Sequence, residues 1–499
     1  MNQLTNNNKH EISNDTTLKK AKVVPKRKIK ILCNECNQRR ELLNESHQIC
    51  HICFKAKSIY EQSGNKIIDD FIKHTLINDD KFAGKMIFVP YDRFKNVNFI
   101  AEGGFSKIYK AIWIDGPIRG WSKKNQYYTR VKSNYDVVLK RLNNSKDITS
   151  KELNELKVFY EFSLKYQTTY SNCVGKYFGI TQYPITQDVM IIMPYYPLGD
   201  LTNYITNDFY DISWKTKLDK LKSIINGLIN IHDANIVHRD FHSGNIFFRD
   251  KFPYVSIGDL GISKSATEST DDNENYGIIP YMAPEIFRGQ KYTKASDIYS
   301  FGMIMWEFMT GRRPFWDKVH DTELIIEIYK GSRPPIVTNA PEDYVDLMKE
   351  CWHSDPNKRP TALYVFEVMC NIYSNERKNK SRIIKSSDIG PVKINNPGAI
   401  YKSRPISSMS SMIQSAISTR TLSTGSLTSQ SITSEIDKRK FVDNRVENDL
   451  NEGKSNKKIK LVENENNDYL TEELELDINI NPEQNNNEKY ITQEIDFDI

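Results

Sequence analysis

Apolar positions divide the 499-residue chain into stretches of unequal character. Residues 1–30 are rich in Asn and Lys and show no apolar period, which predicts a disordered basic N-terminus. Between residues 56 and 93, Ile67, Ile68, Phe71, Ile72 and Leu76 recur at helical spacing until Gly84, which predicts a helical linker. From Phe94 to about Tyr373 apolar clusters are dense. Gly and Pro punctuate them, and strand-like segments give way to helix-like ones. Within this stretch Met190-Ile191-Ile192-Met193 reads as a buried strand, while Leu153, Leu156 and Phe159 mark one helix and Leu221–Ile231 another. Only this region can bury a large core. Residues 403–434 are dominated by Ser and Thr and give way to Asn/Glu-rich sequence, so a disordered tail is predicted over 376–499.

Composition agrees with a chain that folds only in part, since its apolar share of 38% is below the usual globular value. The net charge of +5 is small but polarised. Residues 1–32 hold eight Lys/Arg against two acidic residues, and residues 461–499 hold twelve acidic residues against Lys489. Such ends are solvated and free to meet charged partners. The polar first fifteen residues do not read as a secretory signal. No apolar run reaches the roughly 18 residues that cross a bilayer, so no membrane association is expected. The expected location is the cytoplasm, with the basic run Lys26-Arg27-Lys28-Ile29-Lys30 leaving the nucleus open. Few aromatics accompany that run, so a nucleic-acid partner is not expected. Reduced thiols follow from this location.

The strongest chemical signal is His238-Arg239-Asp240-Phe241-His242-Ser243-Gly244-Asn245. Asp259-Leu260-Gly261 follows fourteen residues after Asn245, and Ala283-Pro284-Glu285 comes later. A carboxylate to accept a hydroxyl proton, an amide oxygen and a second carboxylate are what Mg²⁺-assisted phosphoryl transfer requires. In this order and spacing they resemble the protein-kinase catalytic domain, most closely the tyrosine-kinase-like group, whose members mostly modify Ser and Thr. The resemblance implies a bilobal α+β fold, with a β-rich N-lobe and a helical C-lobe, over residues 94–375. It also implies ATP and Mg²⁺ as cofactors, protein substrates, and an upstream activating kinase as a partner.

By that resemblance Asp240 is the catalytic base, and Asn245 and Asp259 are the Mg²⁺ ligands. Val137-Val138-Leu139-Lys140 matches the strand whose lysine holds the nucleotide phosphates. Glu155, fifteen residues on, is its expected partner, with Glu152 as the competing choice. The glycine loop is Ala101-Glu102-Gly103-Gly104-Phe105-Ser106, flanked by Ile100 and Ile108, and keeps only Gly103 at a pattern glycine position. Its long distance from Lys140 implies an inserted excursion around Asp115–Asn134. Met193 would be the gatekeeper, Pro194 to Tyr196 the hinge, and Val138 and Phe247 would also contact the nucleotide. Asp297 resembles the brace of the catalytic loop, and Arg359 the partner of Glu285.

Two departures stand out: His242 where serine/threonine kinases carry Lys, and Ile278 where they carry Thr. The polar segment after Gly261 offers Ser263, Ser265, Thr267, Ser269, Thr270 and Tyr276 as phosphosites that Arg239 could read. Separately, Cys33-x-x-Cys36 and Cys50-x-x-Cys53 are thirteen residues apart, a spacing that suits structural Zn²⁺, with His47 and His51 nearby. The alternative to a zinc module over 31–55 is four reduced thiols without a metal. The alternatives to a kinase are a pseudokinase scaffold, which the degraded glycine loop favours, or a zinc-module adaptor binding protein or nucleic acid.

Overall fold

The structure, a computed structural model, describes residues 30–406 except 45–47, 79–83, 105, 150–152, 167–172, 249–254, 262, 266–274 and 338–339. It opens with a three-stranded sheet of β1 (Lys30–Leu32), β2 (Arg39–Asn44) and β3 (Ile49–Cys50). Helix α1 (His51–Lys57) follows, with the Cys50 sulfur accepting the Cys53 N–H at its start. Asn65 caps α2 (Lys66–Ile77) by accepting the N–H groups of Ile67 and Ile68, two donors the helix cannot itself satisfy. Strand β4 (Ile87–Phe88) comes next.

The expectation of a linker over 56–93 is corrected here. Helix α2 buries Ile68, Phe71, Ile72 and Leu76 in the main core. Strand β4 joins the main sheet by pairing in parallel with β10 (Gly179–Gln182). A side chain at Gly179 would meet the Ile87 carbonyl oxygen at 2.0 Å, so glycine is what lets this edge dock. An apolar helical stripe identifies the helix but not the surface that covers it.

The main sheet has the order β4-β10-β11-β9-β6-β5, with β5 (Phe94–Glu102), β6 (Ser106–Trp113), β9 (Tyr135–Leu142) and β11 (Val189–Pro194) antiparallel to their neighbours. Between β6 and β9 stands the expected excursion, a hairpin of β7 (Ile118–Ser122) and β8 (Tyr127–Arg130). Its Trp121 meets Phe54 of α1 edge-on at 6.2 Å. Helix α3 (Asn154–Lys165) lies between β9 and β10 in the chain.

The second lobe is helical, built from α4 (Leu201–Asp208), α5 (Trp214–Asp233), α6 (Lys294–Thr310), α7 (Thr322–Tyr329), α8 (Tyr344–Cys351) and α9 (Ala362–Lys378). Short ribbons cross its upper face: β12 (Ile236–Val237) with β15 (Lys264–Ser265), and β13 (Ile246–Phe248) with β14 (Val255–Ile257). Helix α6 is buried on every side from Ser296 to Thr310, as its nearly continuous apolar sequence demands. Below it Arg359 makes a bidentate ion pair with Glu285 at 2.7 and 2.6 Å, the pairing expected from sequence.

The expectation of disorder from residue 376 is also corrected. Helix α9 runs to Lys378, and the chain then crosses the helical lobe as far as Ile406. Ile389 and Ile406 are buried in the core. The Gly390 N–H donates to the Thr310 carbonyl, and Tyr401 donates to that of Pro314. Strand β17 (Arg404–Pro405) pairs with β16 (Tyr276–Gly277). Isolated anchors and backbone bonds hold this strap, and neither leaves a periodic trace in sequence. The rest of the Ser/Thr-rich and acidic tail lies outside the described residues.

Candidate active site

The catalytic loop from His238 to Asn245 is short, polar and buried, so each backbone group needs a partner. Asp297, at the start of α6, accepts the N–H groups of His238 at 2.9 Å and Arg239 at 3.0 Å, and lies 2.9 Å from His232 Nε2. Asn245 Nδ2 donates to the Asp240 carbonyl at 2.9 Å, closing the loop on itself. Arg239 and Asp259 both adopt left-handed backbone, at φ 72° and 58°. Such positions cost about 1–3 kcal/mol each and persist only where the surroundings over-determine them. The bonds to Asp297 supply that constraint at Arg239.

Above the loop, Lys140 of β9 donates to Glu155 Oε2 of α3 and to Asp259 Oδ1, each at 2.9 Å. Burial alone would lower the lysine pKa, but the two carboxylates outweigh it and hold the ammonium above its usual range. Burial likewise opposes ionisation of Asp259, yet Lys140 keeps that carboxyl below its ordinary range. Burial also disfavours the Asp240 anion, but His242, the Ser403 hydroxyl and His238 hold its pKa low. These three side chains are therefore charged at neutral pH. The competing Glu152 lies outside the described residues.

Lys140, Glu155, Asp240, Asn245 and Asp259 line one cleft of about 550 Å³, together with Glu102, Gly103, Gly104 and Ser106 of the glycine loop. Gly103 N–H donates to the Ser106 carbonyl at 2.8 Å, which turns the loop tightly, and Phe105 lies outside the described residues. Ile108 sits opposite Lys140, and Val138 opposite Met193, in adjacent strands. Ile100 and Ala101 are exposed at the end of β5. Tyr196 stacks on Phe247 with ring centres 5.4 Å apart and donates to Ser256 at 3.0 Å, which fixes the hinge ring. Pro194 and Tyr196 line a separate cavity of about 980 Å³ that holds none of the catalytic carboxylates.

Asp259 and Asn245 offer a carboxylate and an amide oxygen, hard donors of the kind Mg²⁺ takes. The Asp259 side chain is still 40% exposed despite its ion pair, so it can also serve a ligand in the cleft. His242 Nδ1 accepts the Gly244 N–H at 3.1 Å, so a neutral ring carries its proton on Nε2. That nitrogen lies 3.6 Å from Asp240 Oδ1.

Seven side chains at the site were given no role by the sequence alone. Tyr177 donates to Glu155 Oε1 at 2.7 Å, and Asn154 Nδ2 donates to the carbonyls of Gly261 and Ser263 at 3.0 Å each. Beneath the loop, Thr202, Ser243, Tyr281 and Glu307 form a hydrogen-bonded chain. Burial pushes the Glu307 carboxyl up to about 7 although Tyr281 donates to it. Ser403 donates to Asp240 Oδ2 at 2.6 Å. Glu307, a lone charge in the apolar run of α6, is the one of these that sequence could have flagged.

Of the expected phosphosites, Ser263 is corrected: it is fully buried and donates to the His238 carbonyl at 3.0 Å. Thr267, Ser269 and Thr270 lie outside the described residues. The Arg239 guanidinium lies 4.9 Å from the Tyr292 ring centre.

The four cysteine sulfurs converge in the N-terminal unit, all within 4.8 Å of one another. A zinc tetrahedron with bonds of about 2.3 Å sets sulfurs about 3.8 Å apart. Cys36 and Cys50 lie at 3.9 Å, so the set fits the ion. His47 lies outside the described residues.

A sequence model described as protein tyrosine and serine/threonine kinase matches residues 94–369, more than half of the chain. One Dictyostelium discoideum protein, named as a probable serine/threonine-protein kinase, is 29% identical over 296 residues, or 58% of this chain and 20% of its own length. A second of the same description is 27% identical over 287 residues, or 57% and 28%. An Acanthamoeba polyphaga mimivirus protein bearing the name of a serine/threonine-protein kinase/receptor is 33% identical over 184 residues, or 36% and 11%. The chain thus spans less than a third of the length of each of these relatives.

Proposed function

The chain belongs to the protein tyrosine and serine/threonine kinase family, and from that premise we propose that it transfers the γ-phosphoryl group of ATP to Ser or Thr hydroxyls of proteins. The observation that carries this reading is Lys140 held at 2.9 Å from both Glu155 and Asp259, in the cleft that also holds Asp240 and Asn245. A scaffold that only binds has no need of this assembly, so the scaffold alternative is not favoured.

Each residue has a definite task. Lys140, fixed by Glu155, supplies a permanent positive charge for phosphate oxygens. Asp240, kept ionised, accepts a hydrogen bond from the acceptor hydroxyl and aligns it. Asn245 and Asp259 would hold Mg²⁺, which when bound neutralises phosphate charge. His242 contributes a weaker positive field than a lysine would. Cys33, Cys36, Cys50 and Cys53 hold Zn²⁺ in a structural role on this reading, with protein substrates reached by the kinase lobes.

The test is incubation of purified full-length protein with radiolabelled ATP and Mg²⁺ beside Asp240→Asn, followed by phosphoamino-acid analysis. Label on serine or threonine that vanishes in the variant supports the reading. Label on tyrosine alone overturns the acceptor assignment, and ATP binding without any transfer restores the scaffold.

A further inference from the structure

The strap that follows α9 has no role in the reading above, yet residues 401–403 of it line the cleft. Its path is fixed by bonds on both sides of one residue. Upstream, the His320 N–H donates to the Gly398 carbonyl and His320 Nδ1 pairs with the Ile400 carbonyl, each at 2.9 Å. Downstream, Arg404 pairs with Gly277 and Pro405 with Tyr276 across the β16–β17 ribbon. The Ile406 N–H then donates to the Asn275 carbonyl at 2.8 Å, and the Arg404 guanidinium donates to the His320 carbonyl. With both flanks pinned, the register is set, and the residue brought to the catalytic base is Ser403.

We propose that Ser403 is a phosphorylation site that the protein modifies within its own chain, the strap being a substrate held in place. The proposal rests on the kinase reading above. Ser403 Oγ donates to Asp240 Oδ2 at 2.6 Å, the contact an acceptor hydroxyl makes with its aligning base. An inert plug would need no hydroxyl there. The strap backbone also fits beneath the glycine loop. A Cβ at Gly104 would lie 2.4 Å from the Ser403 carbonyl oxygen. Gly104 occupies no glycine position of the family pattern, and room for the strap accounts for it.

The step balances without further reagents. Ser403 Oγ bonds to the γ-phosphorus of ATP as the bond from that phosphorus to the β–γ bridging oxygen breaks. ADP leaves with that electron pair. The seryl proton passes to Asp240 and then to solvent.

The experiment uses full-length protein with radiolabelled ATP, Mg²⁺ and myelin basic protein as an added acceptor, with the labelled residues mapped by mass spectrometry. Label is expected on Ser403, at a rate per molecule unchanged by tenfold dilution, and absent from that site in Ser403→Ala. Ser403→Thr should restore it. Label on other residues or on the added acceptor, with Ser403 unmodified, overturns this inference and leaves the kinase reading intact. Labelling of Ser403 that slows tenfold on dilution assigns the strap to another molecule and overturns it as well. Label nowhere at all, on chain or acceptor, removes the kinase reading and this inference together.

Discussion

The catalytic cleft and the cysteine knuckle achieve order by opposite means. The cleft collects residues from Glu102 to Ser403, brought together only when both lobes are folded. It holds them with buried ion pairs, braced backbone and two left-handed residues. The knuckle takes all four candidate ligands from Cys33 to Cys53, over a core of Cys33, Cys50, Cys53 and Ile52 with Cys36 half-buried against it. Little apolar surface is buried there to offset chain entropy, so on the zinc reading proposed above ligation would supply the difference. The contrast separates a site made by a fold from a fold made by a site.

Stripping the metal should break the comparison most visibly. Structural zinc is worth about 10–16 kcal/mol in small modules, so a strong chelator, or Cys50→Ser, should abolish hydrogen-exchange protection over residues 30–57. Helices α5 and α6 should keep theirs. In the cleft, Asp240→Asn should lower kcat toward an added protein about 10²–10⁴-fold while the thermal midpoint holds, as kinetics and calorimetry would register. Arg359→Ala strands the buried Glu285 charge and should cost about 3–5 kcal/mol in denaturant titration.

Glu307 sharpens the comparison through pH. Folded protein retains this proton up to about 7, whereas an ordinary glutamate loses it near 4.5. Between those values the folded state binds more protons, so stability falls as pH rises, by up to about 3 kcal/mol from this group. Tyr281, Arg313 and His242 face it, and Glu307→Gln should flatten that part of the profile in urea titrations at several pH values. The smallest effect expected is Tyr177→Phe, about 1–2 kcal/mol, from the lost bond to Glu155.

The charged residues of the cleft were legible because phosphoryl transfer restricts residue type and spacing together. Lys140, Glu155, Asp240, Asn245 and Asp259 stand together in the cleft, as their order in the chain implied. The inserted hairpin was readable from a gap too long for a simple turn. Tyr177 and Asn154 were not readable, since a hydrogen bond to a buried carboxylate or to a backbone carbonyl can come from many positions. The strap was missed for a different reason. Its buried anchors, Ile389 and Ile406, stand apart from each other in a largely polar stretch, and composition averages them away. The role of α2 failed on a third ground: amphipathicity gives a helix a face but not an address.

That address governs how Glu155 can move. Gly84, at φ 74°, has no side chain to hold Ser163 of α3 away; a Cβ there would lie 2.7 Å from the Ser163 Cβ. Ile67, Phe71 and His74 of α2 meet Leu153, Lys157 and Tyr160 around a cavity of about 430 Å³. The outer flank of α3 is thus already occupied by the chain's own N-terminal extension. Any tilt that withdrew Glu155 from Lys140 would have to drag α2 along, and with it the strand sewn to the sheet edge. The helix behaves less like a free lever than like a hinged panel bolted along a second seam, with the small cavity as its play.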